Sequence, residues 1–108
     1  MLEKAYKFTI SDEKIIEKIV DDNNAAINHV VLPKGTGLPE HYSNSNVYLI
    51  ILRGSVTIKL NEKVSETYRD GDILSIPYNT KMNIENSGDD VLELFIVKSP
   101  NPNNYTDK

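Results

Sequence analysis

Apolar and polar residues alternate over much of this chain, and the alternation is broken at short, regular intervals. The clearest case is Ser55-Val56-Thr57-Ile58-Lys59-Leu60, where Val56, Ile58 and Leu60 share one face and Thr57 and Lys59 the other. A period of two is the mark of a half-buried strand. Val47 to Leu52 behaves differently. It is an unbroken apolar run, preceded by polar Ser43 to Asn46 and stopped by Arg53-Gly54, and reads as a strand buried on both faces. Ile27 to Leu32, Val64 to Tyr68, Ile73 to Ile76, Met82 to Glu85 and Val91 to Val97 supply further strands. Between them lie turn clusters: Asp21 to Asn24, Pro33 to Gly37, Asn61 to Lys63, Asp70 to Asp72 and Asn86 to Asp90. Lys14 to Val20 supports two readings. Ile15, Ile16, Ile19 and Val20 fall at helical spacing behind a capping Ser11-Asp12-Glu13, yet β-branched residues dominate the stretch and favour a strand.

Strands recurring about every 8–12 residues with turns between them imply an all-β sandwich or barrel. A chain of 108 residues holds one domain. Its core is expected over about 14–98, with a polar arm or edge strand at 1–12 and a loose Pro- and Asn-rich tail at 99–108. The net charge is −4 and no basic cluster is present, which argues against a nucleic-acid partner. Cysteine is absent, so there is no disulfide framework and no thiol chemistry. No apolar run approaches membrane-spanning length and MLEKAYKFTI lacks a signal-peptide core, so no membrane partner and a cytoplasmic location are expected. A G-x-S-x-G nucleophile elbow and a Gly-rich phosphate loop are both missing.

The order of turns and strands from Gly35 to Asn86 resembles the cupin superfamily, small double-stranded β-helix or jelly-roll barrels. The family's first motif runs glycine, five residues, His-x-His, three or four residues, Glu, six residues, Gly. Gly35 begins it here, His41 matches the first His and Gly54 closes it. In the second motif Gly71 and Pro77 keep the spacing and Asn86 closes it. If the resemblance holds, the 14–20 stretch is a strand. In cupins the three His and the Glu of these motifs ligate a metal. Here the remaining ligand positions carry Ser43, Val47 and Met82, and the second motif's second glycine is Asn79. One imidazole does not hold a divalent metal, since zinc sites use three or four protein ligands and iron or manganese chemistry at least a facial triad.

The sequence therefore points to a barrel that holds a small organic molecule without a metal cofactor. Alternation places His41, Ser43, Val47, Leu49 and Ile51 on one face, and the motif match sets Met82 opposite them, giving a mainly apolar ligand pocket with one titratable donor. Two alternatives stand beside this reading. One is a metal-independent isomerase or epimerase with His41 as general base and Tyr48 or Tyr78 as the acid. The other is a metal-dependent enzyme holding one divalent transition metal through His41, His29 and Glu40. Finally, Val47 to Leu52 is apolar on both faces while a small barrel has one interior. A homodimer is expected to cover the second face, with residues 1–12 available to reach the partner.

Overall fold

The computed structural model describes residues 2–104. Nine strands run through it: β1 (Ile15–Asp21), β2 (Ala26–Leu32), β3 (His41–Tyr42), β4 (Asn46–Arg53), β5 (Ser55–Leu60), β6 (Glu66–Arg69), β7 (Ile73–Ile76), β8 (Lys81–Glu85) and β9 (Leu92–Ser99). They form two antiparallel sheets, one ordered β1-β2-β9-β4-β7 and the other β3-β8-β5-β6. The last strand is inserted at the centre of the five-stranded sheet, pairing with β2 from Ala26↔Lys98 to Leu32↔Leu92 and with β4 from Asn46↔Ser99 to Arg53↔Glu93.

Local chemistry sets the turns. Between β1 and β2 the Asp22 side chain accepts the backbone N–H groups of Asn24 and Ala25, an Asx-type turn. Asn61 and Glu62 both take positive φ at the β5–β6 turn, and the Asn61 side chain accepts the Lys81 N–H of the neighbouring strand. Gly54 closes the first motif for a steric reason. Its φ is +79°, and a Cβ there would stand 2.2 Å from the Val91 carbonyl oxygen, so only glycine fits between β4 and β5.

The core lies between the sheets. Val30, Leu32, Val47, Leu49, Ile51, Leu92, Leu94 and Ile96 of the larger sheet meet Val56, Ile58, Met82 and Ile84 of the smaller one. The 14–20 ambiguity resolves as strand β1, which pairs antiparallel with β2 from Ile15↔Val31 to Asp21↔Ala26, in keeping with its β-branched residues. One expectation is corrected at β4. Its inward residues are buried, but Tyr48 and Leu52 on the other face remain exposed, so this chain by itself covers the strand on one side only.

Segments near both ends of the described residues are tied to the barrel. Residues 2–14 form no strand, but the Thr9 N–H and hydroxyl donate to Glu17, and Arg53 donates to the Ser11 carbonyl and pairs with Asp12. The arm thus lies on its own sheet. At the other end, buried Asn101 donates to the Asp21 carboxylate and the Asp22 carbonyl, and Ser45 donates to the Pro100 carbonyl. Residues 99–104 are therefore anchored and not loose. The rest of the expected tail, 105–108, lies outside the described residues.

Candidate functional site

Strand β3 exists to hold one edge of the smaller sheet, and its two residues pair with β8 as His41↔Met82 and Tyr42↔Lys81. His41 is exposed at the mouth of a cavity of about 170 Å³, and Met82 is buried inside it. The remaining lining comes from Ile16, Asn28, Val30, Leu38, Pro39, Ile84, Ile96 and Lys98. Nδ1 of His41 lies 2.8 Å from the Pro39 carbonyl oxygen. A carbonyl can only accept, so Nδ1 carries the hydrogen and the neutral ring presents the Nε2 lone pair elsewhere.

The other expected site residues fall in different places. Met82 is beside His41 on the adjacent strand, not across the barrel from it. Val47, Leu49 and Ile51 do point inward, but they are packed core and line none of the cavities described below. Ser43 is buried and fully engaged: its hydroxyl donates to the Pro77 carbonyl at 2.7 Å and accepts the Thr80 N–H at 2.8 Å. It clamps the β7–β8 turn and offers a ligand nothing. Asn79 in that turn has φ +62°; asparagine tolerates this left-handed conformation, which explains how it stands where the motif has glycine. Asn86 is likewise structural, donating to the Leu32 and Asp90 carbonyls and accepting the Gly88 N–H.

The alternative metal set does not assemble. His29 pairs across β9 with Phe95 on the outward face of the larger sheet, away from the cavity that Asn28 and Val30 line. Its ring sits between Glu17 (Nδ1, 2.7 Å) and Glu93 (Nε2, 2.6 Å), under Phe8 and Phe95. Glu40 turns instead to Lys81 and Asn83. At the family's own ligand positions a clamped hydroxyl, a valine and a methionine accompany the single imidazole. No group of three or more His, Cys, Asp or Glu able to hold a metal occurs among the described residues. The donors present do not fit a metal centre. For the isomerase alternative, Tyr48 lies on the outward face of β4 and cannot meet His41 across the cavity, while Tyr78 sits in the β7–β8 turn.

Of the lining residues that the sequence did not reveal, two are polar, Lys98 and Asn28. Lys98 ends the inward stripe Leu92, Leu94, Ile96 of β9 and pairs with Val47, so it faces the interior. The signal was there, since the same alternation continued one residue further predicts an inward lysine. Burial, reinforced by the charge of Lys18, pushes its ammonium below the usual lysine range. Asn28 points inward as well, and its Oδ1 is buried without a hydrogen-bond partner. Both residues also line a second cavity of about 150 Å³ with Lys18, Asn44, Asn101 and Asn103. A larger slot, about 530 Å³, opens at the opposite seam between β6 and β7, lined by Ile58, Leu60, Tyr68, Leu74 and Ile76 and edged by Lys63, Val64, Glu66 and Ile73.

Comparison with known proteins decides the family. The cupin domain model matches residues 28–98, which span both motifs and every residue lining this cavity except Ile16. The chain belongs to the cupin family. This cupin is 45% identical over 103 residues to an uncharacterized protein of Methanocaldococcus jannaschii, covering 94% of the chain and 89% of the relative. The crystal structure of an RmlC-like cupin family protein with a double-stranded β-helix fold, also from M. jannaschii, superposes with a TM-score of 0.92 at 44% identity and 95% coverage of each chain. A cupin-like protein from Thermotoga maritima shares the fold at a TM-score of 0.73 and 21% identity, covering 79% of this chain and 67% of that one.

Proposed function

We propose that this cupin holds a small organic molecule in the cavity beside His41 and Met82, without a metal. The observation that supports this most directly is the cavity's make-up. Val30, Leu38, Met82, Ile84 and Ile96 form apolar walls, and a few polar groups converge at its edges, as in small-molecule sites generally. An apolar cavity of about 150 Å³ is large enough for benzene, so a ligand body of about six carbons suits this one. His41 Nε2 either accepts from the ligand or, when protonated, donates to it.

A fragment screen by calorimetry tests the reading. His41→Ala is expected to weaken ligands with a polar end by about 1–3 kcal/mol, because that end loses its partner. Val30→Phe, which fills the cavity, is expected to abolish binding. Ligands indifferent to both substitutions would refute the site. Elemental analysis of protein purified without a metal-affinity tag is expected to find well under one equivalent of transition metal. About one equivalent, lost in His41→Ala, would overturn the metal-free reading.

The 530 Å³ slot at the β6–β7 seam supports a second reading through its size alone, which lies in the range of drug-sized ligand pockets. Ile73→Trp separates the two, since it narrows the slot and leaves the His41 cavity untouched. We propose in addition that the molecule is a homodimer.

A further inference from the structure

The 170 Å³ cavity and the 150 Å³ cavity beside it are different in character and share two residues. The first has apolar walls. The second is edged by Lys18, Asp21, Asn44, Asn101 and Asn103. Lys98 and Asn28 line both, so they stand where an apolar chamber meets a polar one.

Lys98 is out of place as a purely structural residue. It is half-buried, its ammonium forms no ion pair or hydrogen bond with the described residues, and the charge that acts on it is that of another lysine, Lys18. The carboxylate that lines the second cavity, Asp21, is already committed to Lys18 and to Asn101. A half-buried charge is normally paired, because desolvation is otherwise uncompensated. The unpaired Asn28 Oδ1 makes the same point for a hydrogen-bond acceptor: a buried acceptor without a donor costs about 1–3 kcal/mol. Two unmet polar groups at one junction, one cationic and one accepting, describe a missing partner that is anionic and carries a donor nearby.

We propose that Lys98 is the anchor for a small amphipathic monocarboxylate, whose apolar body fills the chamber of Met82 and Ile84 and whose carboxylate sits at the Lys98–Asn28 junction. This rests on the ligand site proposed above and names the class of molecule it takes. One unpaired cation matches one negative charge, and the neighbouring asparagines suit a hydroxyl or amide substituent next to the carboxylate.

The experiment compares 2-hydroxyhexanoate with 2-hydroxyhexanamide, which share a body and a hydroxyl donor for Asn28 Oδ1 and differ in charge. Binding is read from the Met82 methyl signal by NMR in wild-type protein, in Lys98→Met and in Lys98→Gln. The carboxylate is expected to bind at least tenfold more tightly than the amide to wild type. Both variants are expected to abolish that preference, weakening the carboxylate at least tenfold more than the amide. Equal wild-type affinities, a preference for the carboxylate that survives both variants, or an equal loss for the two compounds would overturn the anchor role. In those cases the cavity itself would still bind. If neither compound nor any neutral fragment moves the Met82 signal, the cavity reading fails and the anchor with it.

Discussion

Ser43 shows how one position can be read correctly in sequence and wrongly in role. Its place in the motif and its inward register were legible. Its hydroxyl, however, bridges the Pro77 carbonyl and the Thr80 N–H, two partners that lie more than thirty residues away and could not be foreseen. Ser43→Ala is therefore expected to destabilise the fold by about 1–3 kcal/mol, since a buried Thr80 N–H loses its acceptor, with ligand affinity unchanged. Urea unfolding and calorimetry on the same variant measure both effects. Gly54→Ala is expected to cost more, on the order of 3 kcal/mol, because left-handed backbone strain adds to a collision with the Val91 carbonyl; a smaller loss in the same assay would mean that β9 can move aside. Here the sequence was a sufficient guide, because a glycine closing a strand advertises its backbone. His29 was not legible at all. Only the pairing of β1, β2 and β9 brings Glu17 and Glu93 to its two nitrogens.

At the level of elements, strands were read well where one face is buried and badly where the chain is short or polar. β5, with its strict alternation, was legible from sequence almost to the residue. β3 was hidden in a polar patch, because two residues show no period. β9 runs on through Lys98 and Ser99, past the point where its apolar character ends, and so the lysine that closes its inward stripe went unnoticed. The N-terminal arm depends on Glu17. Hydrogen bonding from the Thr9 N–H, and then from His29, holds the Glu17 carboxyl below its ordinary value of 4.5. A depressed carboxyl adds stability above the unfolded value, and that stability is lost as pH falls through the lower folded value. The arm is thus expected to stay docked at neutral pH and to loosen only below about pH 4.5. Ring contacts between Phe8 and Phe95, 5.0 Å apart and edge-on, report this as NOE intensity. In Glu17→Gln the contact is expected to be weaker at neutral pH and to lose its acid transition. An arm that detaches equally in both proteins would show that Arg53, through Ser11 and Asp12, is what holds it.

For the whole molecule, the double-stranded β-helix was legible because turns, strands and motif glycines agreed, while the shape of its cavities was not, since these depend on which side chains meet across two sheets. The outward face of β4 and β7 leaves Tyr48 41%, Leu52 42% and Ile73 65% exposed, an apolar surface of the kind that marks association. A second copy placed about a two-fold axis would cover it with the same residues. Light scattering at micromolar concentration is expected to give a dimer mass, and Tyr48→Glu with Leu52→Glu a monomer with an unchanged fold; a monomeric wild type would contradict the proposal. Methionine methyl NMR reads out whether the barrel interior beside His41 receives a ligand. The chain has two methionines, Met1 and Met82, so one methyl signal reports the cavity. Small fragments with an apolar body and a polar end are expected to shift the Met82 signal saturably, and Val30→Phe to abolish the shift. A Met82 signal that no fragment moves, in protein whose other resonances show a native fold, would mean that the cavity is packed core and that no ligand enters beside His41.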